Sequence, residues 1–170
     1  MAAMGYDVVT LMDNDDRSVD RHVTAAEAAS VVVVRWDVGM NTEQQICSEL
    51  DADGLSKLLQ LGVELRSTED TVLADVNFAD PEHPVSSLQV DDWIADGITL
   101  GAARGRIAKA MVTRKWAKDV DAGRLLGDWL VENQGTLALG EVFEKLNRVK
   151  DFIYRRVETE AASPADGADG

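Results

Sequence analysis

Between Gly97 and Lys118 the chain places Arg104, Arg106, Lys109, Arg114, Lys115 and Lys118 without a single Asp or Glu, and this interval constrains the fold more than any other. On a helix, Ala108, Val112 and Trp116 line one stripe with Ile107 and Met111 beside it. Arg104, Lys115 and Lys118 fall near the same apolar residues. Lys and Arg stems can cover apolar surface while their heads reach carboxylates. The expectation is a helix docked on an acidic neighbour, in the same chain or in a second copy. Nucleic acid is the alternative source of anions, with phosphates meeting the six cations and Trp116 stacking on a base.

The rest of the chain supplies carboxylates in excess. Residues 1–100 hold 5 basic and 20 acidic side chains, residues 101–170 hold 12 and 11, and the net charge is −14. Asp outnumbers Glu 20 to 11 and Arg outnumbers Lys 11 to 6, a pattern that resembles proteins from salt-accumulating cytoplasms. In concentrated salt, surface carboxylates keep hydration while screening shortens their repulsion to a few Å, so this acidity describes habitat. The other reading is a surface made for a basic partner, including mimicry of nucleic acid. The acids show no regular spacing that would support mimicry.

A chain of 170 residues, 45% hydrophobic, is long enough to bury one core or two small subdomains. No apolar run approaches a membrane span, and Met1 to Asp7 lacks the basic start of a signal peptide, so no membrane partner is expected and the expected compartment is the cytoplasm. Cys47 is the only cysteine, which excludes an internal disulfide and suits a small core residue.

The expected fold class is mainly α, with α+β as the variant. Residues 1–21 read as an N-terminal extension with a strand-like piece, Tyr6 to Leu11, and turn chemistry at Asp13-Asn14-Asp15-Asp16. Thr24-Ala25-Ala26-Glu27 matches a capping box and predicts a helix running through Val31–Val34 to Gly39, although the valine run also suits a strand. Asn41 predicts a second helix to about Leu50, and Leu55, Leu58, Leu59 and Leu61 a third ending at Gly62. Alternation in Val63-Glu64-Leu65-Arg66 and the β-formers from Thr71 to Phe78 predict a hairpin. Residues 22–80 would then be a winged-helix-like or three-helix unit. Asp80-Pro81-Glu82-His83-Pro84 predicts a boundary. Residues 85–160 read as a helical region: about 87–96, 100–119 and 122–133, then a long amphipathic helix after Thr136. Residues 161–170 read as a disordered tail.

Signatures of chemistry are sparse. Ile46-Cys47-Ser48-Glu49-Leu50 looks like the second helix and turn of helix-turn-helix regulators, but the following helix offers only Lys57 and Gln60 toward DNA and is guarded by Asp51 and Asp53. Glu49, Asp51, Asp53 and Gly54 match the first positions of a calcium loop, yet its twelfth position is Gln60 where a bidentate Glu is required. His22 and His83 stand apart, and one cysteine excludes the usual zinc patterns. No phosphate loop, nucleophile elbow or Cys–His pair is present, so no catalytic residue, metal or cofactor is nominated. The four tryptophans read as core anchors. Leu139, Val142, Leu146, Val149 and Ile153 follow one another at three- and four-residue steps, widened by Phe143, Phe152 and Val157. That stripe must be buried in the protein's own core or on another subunit. The reading is a non-enzymatic helical protein that self-associates or assembles with another protein. The alternative is a nucleic-acid-binding regulator using residues 104–118 with a winged-helix-like unit.

Overall fold

Four consecutive valines decide the first part of the fold. The computed structural model describes residues 7–161, with side chains through Tyr154. In it Val31–Arg35 is a strand, β2, lying parallel to β1 (Val8–Met12) with Val8 opposite Val31 and Met12 opposite Arg35. β-Branched side chains lose rotamer freedom in a helix and fit a pleated surface, so the strand reading of the valines holds and the helical one does not. Parallel strands cannot be joined by a tight turn. The crossover here is a short 3₁₀ turn, Arg17–Val19, followed by helix α1, Asp20–Ala28.

The turn chemistry at Asp13–Asp16 is realised by Asp16, whose carboxylate accepts from the Ser18 amide and hydroxyl at 2.7 Å each. The capping box is not. Because the Asp16-capped turn runs straight into α1, the helix begins at Asp20 and Thr24 sits inside it, donating to the Asp20 carbonyl at 3.2 Å. Beyond β2 the chain folds back on the β1 loop. Asn14 donates from Nδ2 to the Trp36 carbonyl and from its amide to the Met40 carbonyl, both at 2.8 Å, and its own carbonyl accepts from the Gly39 amide at 2.9 Å. Gly39 holds φ +85°, a turn conformation that favours glycine.

Among the described residues two groups pack as separate units: 7–41 with 142–161, and 42–141. The second unit is helical: α2 (Thr42–Glu49), α3 (Ala52–Arg66), α4 (Glu69–Ala79), α5 (Val90–Ala95), α6 (Leu100–Arg114) and α7 (Val120–Glu132). Helix α8 (Gly140–Ala161) starts at its end and continues into the first unit. Helix α6 packs against α2, α3, α4 and α5, while α3 packs against α4, α5, α6 and α7. Their shared core includes Ile46, Leu50, Leu55, Leu58, Leu59, Val76, Trp93, Ile107, Met111 and Trp116.

The expected hairpin over residues 63–78 is replaced by helix. α3 continues to Arg66, Ser67 turns the chain at φ +79°, and Thr68 starts α4 by accepting from the Thr71 amide at 3.2 Å. The buried residues of α4 are Val72, Asp75, Val76 and Ala79, a helical period that a carboxylate in the second place disguises. No hairpin follows α3, so the winged-helix order does not hold. Asp80–Pro84 lies within the second unit. Asn77 clamps the far side of it, donating to the Val85 carbonyl at 2.9 Å and accepting from the Val85 amide at 2.8 Å. The final helix starts at Gly140, later than expected. The expected tail, 161–170, and the side chain of Val157 lie outside the described residues, apart from the helical backbone of Ala161.

Gly62 is required by close approach. A Cβ on Gly62, in the middle of α3, would stand 2.7 Å from Cζ3 of the buried Trp116 ring. Replacing glycine by alanine inside a helix ordinarily gains about 1 kcal/mol, and overpacking a core loses about 1–3. The Trp116 indole cannot swing aside, because its Nε1 donates to Asp75 at 2.9 Å. The clash therefore wins. Gly62→Ala is expected to lower the unfolding free energy by about 1–2 kcal/mol in a denaturant titration, and a stabilised variant would show that Trp116 yields.

Candidate functional site

Thr99 opens α6 by accepting from the Ala102 amide at 3.2 Å, and the helix then carries most of the basic interval into the core of its unit. Arg104 Nε donates to the Leu50 carbonyl at 2.8 Å, just past the end of α2. Arg106 is almost wholly buried, at 3% side-chain exposure. Its Nε donates to the Val76 carbonyl at 3.1 Å, Nη1 to the His83 carbonyl at 2.6 Å and Nη2 to Asn77 Oδ1 at 2.7 Å, with the guanidinium 5.5 Å from the Trp93 ring centre. Lys109 Nζ donates to the Ala79 carbonyl at 2.9 Å. Val76 and Ala79 belong to the last turn of α4, where unsatisfied carbonyls and the negative end of the helix dipole favour cations. Burial pushes the Arg106 pKa down, and the Asp80 carboxylate 3.9 Å away pulls it back. For Asp80, partial burial pushes the pKa up, but the His83 hydrogen bond, the His83 charge and Arg106 outweigh it and leave the group more acidic than usual.

The end of the interval serves carboxylates. Asp75, with only 7% of its side chain exposed, accepts from Arg66 Nε and Trp116 Nε1 at 2.9 Å each, and Arg114 Nε lies 3.3 Å from its other oxygen. The Arg114 contact is an ion pair without hydrogen-bond alignment, and the same guanidinium lies 4.0 Å from the Phe78 ring centre. Lys118 Nζ is 3.5 Å from Glu43. Lys115 ends α6 at φ +57° with its side chain in solvent. Five of the six cations thus meet carbonyls or carboxylates of their own unit. The sequence pattern exposed the donors, but Asp75, Asn77 and the carbonyls of Leu50, Val76, Ala79 and His83 carried no signal of their own.

The apolar stripe at the C-terminal end is divided. Leu139 precedes α8 and is buried, Val142 is fully buried, Leu146 and Val149 are half-buried, and Ile153 is 52% exposed. Phe152 is half-buried, and Tyr154 is exposed beside Ile153. At the start of this face Lys145 pairs with Asp37 and lies 5.9 Å from the Trp36 ring centre, within the first unit. A second open feature lies in the other unit, between α3 and α7. It is a groove of about 380 Å³ with Lys57, Gln60, Leu61 and Glu64 on one wall and Leu125, Asp128, Trp129 and Glu132 on the other.

The calcium-loop acids serve other roles: Glu49 accepts from the Glu141 amide at 2.9 Å, Asp51 caps α3 through the Gly54 amide at 2.8 Å, and Asp53 pairs with Lys57 at 2.8 Å. Among the described residues no group of three or more His, Cys, Asp or Glu side chains is placed to hold a metal ion. Likewise no helix of the described residues is long and apolar enough to cross a membrane.

Cys47 is fully buried on α2, with its sulfur 4.0 Å from that of Met111. Burial pushes its thiol pKa strongly up, Glu43 adds to this, and Arg104 opposes it. The folded thiol holds its proton where the unfolded one, with a pKa near 8.5, releases it, so the folded state binds more protons above that pH. The resulting stability is complete below about pH 8.5 and falls above it by up to about 1.4 kcal/mol per pH unit. Cys47→Ala is expected to remove this alkaline slope, and a soluble maleimide at pH 8 should label the native chain only as fast as it unfolds. Rapid stoichiometric labelling of the native protein would show that the thiol is accessible.

Comparison of the chain with protein-family models, with curated proteins and with solved structures gives no match in any of the three.

Proposed function

We propose that this protein works by assembly, with copies of itself or with another protein, and not by catalysis. The observation that supports this most is the incompletely covered face of α8, where Leu146, Val149 and Phe152 are half-buried and Ile153 is exposed. A helix carries such a stripe into water at a cost of roughly 25 cal/mol per Å² of apolar surface left uncovered, which association recovers. The nucleic-acid alternative has less to draw on. Arg106 is buried, and Arg104, Lys109, Arg114 and Lys118 already have partners in their own unit, leaving Lys115 as the exposed cation of residues 104–118 without one among the described residues.

Light scattering of the intact protein over a concentration series tests the reading. The expected result is a mass above that of one 18.5 kDa chain, reduced to one chain by Ile153→Asp. A strict monomer at every concentration, with no protein partner recovered, defeats it. Steeply salt-dependent retention of the intact protein on DNA or RNA, abolished by Lys115→Glu, would favour the alternative instead.

A further inference from the structure

Resting on the assembly reading, we infer that the partner surface for α8 is the groove between α3 and α7 of a second copy of this chain. The two surfaces match in charge and in apolar character. On α8, Val149 lies at the centre of the stripe formed with Leu146, Phe152 and Ile153, and the helical step puts Arg148 on one flank and Lys150 on the other. Glu144 and Asp151 fall on the opposite side of the helix. Arg148 and Lys150 are exposed and make no hydrogen bond or ion pair among the described residues, unlike Lys145, which is held by Asp37. The presented face is therefore an apolar stripe edged on both sides by available cations.

The groove has the inverse arrangement. Its floor and walls carry buried Leu61 and half-buried Leu125 and Trp129. Glu64 stands on the α3 wall and Glu132 on the α7 wall, both exposed and both without an ion-pair partner among the described residues. The other charges there are already matched: Asp128 pairs with Arg124 at 3.0 Å, and Lys57 with Asp53 at 2.8 Å. A volume of about 380 Å³ takes the projecting side chains of a helical turn, so Phe152 and Ile153 would enter as knobs while the helix lies along the rim.

A second copy is the occupant that the charge balance favours. In a chain of net charge −14, most of the surface of one copy repels another, and a contact needs a cationic region. Segment 145–154 supplies one, with Lys145, Arg148 and Lys150 against the single acid Asp151. Phe152 and Ile153 buried in the groove would then hold the complex, and the flanking charges would set register and approach.

The test is a charge-swap series on the full chain, read by sedimentation equilibrium, with circular dichroism confirming that each variant folds. Glu64→Lys with Glu132→Lys is expected to weaken self-association by roughly a hundredfold or more, and Arg148→Glu with Lys150→Glu by as much. An equimolar mixture of the two variants should associate again, because each supplies the surface that the other has lost. Gln60→Cys in one population and Ile153→Cys in another should form a mixed disulfide on oxidation, Cys47 being buried. A wild-type oligomer that neither charge pair disturbs, or one that gives no mixed disulfide, overturns the groove assignment. If Ile153→Asp still dissociates that oligomer, the assembly reading survives the loss of the groove. A strict monomer overturns both.

Discussion

Replacing Asp75 by Ala is expected to lower the unfolding free energy by about 3–5 kcal/mol, the typical consequence of removing one partner from a buried charge cluster. Arg66 and Arg114 would be left facing each other across an empty place, and the Trp116 indole N–H would lose its acceptor inside the core. Each contribution has the same sign. Like charges repel, a buried donor goes unsatisfied, and the carboxylate volume of Asp75 becomes a cavity. Asp75→Asn separates these causes. It keeps the volume and an acceptor for Trp116 but loses the negative charge between the two guanidinium groups. Its loss is expected to be smaller than that of Asp75→Ala, and the difference between the variants measures packing and the indole hydrogen bond. The measurement is a urea titration in which the midpoint moves and the slope stays constant. An Asp75→Ala midpoint equal to that of the wild type would mean that the cluster contributes nothing net.

Arg106→Ala is the second large effect, also about 3–5 kcal/mol for three charge-assisted hydrogen bonds lost together. Its guanidinium satisfies the carbonyls of Val76 and His83 and the amide oxygen of Asn77 at once, and Asn77 in turn clamps Val85. Truncation would take a charged donor from each of these acceptors, leaving Asn77 Oδ1 with the Val85 amide and the Val76 carbonyl with the Asp80 amide, and release the segment that carries Pro81 and Pro84. Arg106→Lys tests the geometry separately from the charge. An ammonium keeps the positive charge but cannot present a planar fork to three acceptors in fixed directions, so the conservative change is expected to lose more than half of the same stability. Hydrogen exchange gives a local readout: amides from Asn77 to Trp93 should lose protection ahead of the rest of the unit. Equal stability for Arg106→Lys and wild type would show that charge alone suffices. Because domains of this size are stable by roughly 5–15 kcal/mol, either alanine variant removes a large share of the total.

Both residues belong to features that were half legible in the sequence. The basic interval stood out because six cations and no acid in an acidic chain require an anion or its equivalent nearby, and α6 was expected within a few residues of where it lies. Its partners were not legible. Val76, Ala79, Leu50 and His83 contribute backbone carbonyls, which every residue has, so no side-chain pattern announces them. Asp75 is one carboxylate among many, distinguished only by sitting at a buried position of α4. That same position broke the apolar period of α4, and the β-formers from Thr71 to Phe78 then made the segment resemble a strand.

Local chemistry acts within a few residues, and there the sequence was a good guide at several places, though not at the Thr24 capping box. The cap at Thr99, the turn chemistry of Asp13–Asp16, the amphipathic period of α8 and the mainly helical class with a small strand content all follow from side chains acting on their own backbone. Tertiary structure decided what depends on residues distant in the chain. It paired Val31–Val34 with Val8–Leu11 as a parallel ladder, continued α3 through an alternating stretch because Leu58, Leu59 and Leu61 were already packed, and enclosed a carboxylate among two arginines and an indole. A hydrogen bond or ion pair inside the core draws its strength from the exclusion of water, and that exclusion is a property of the packed chain as a whole.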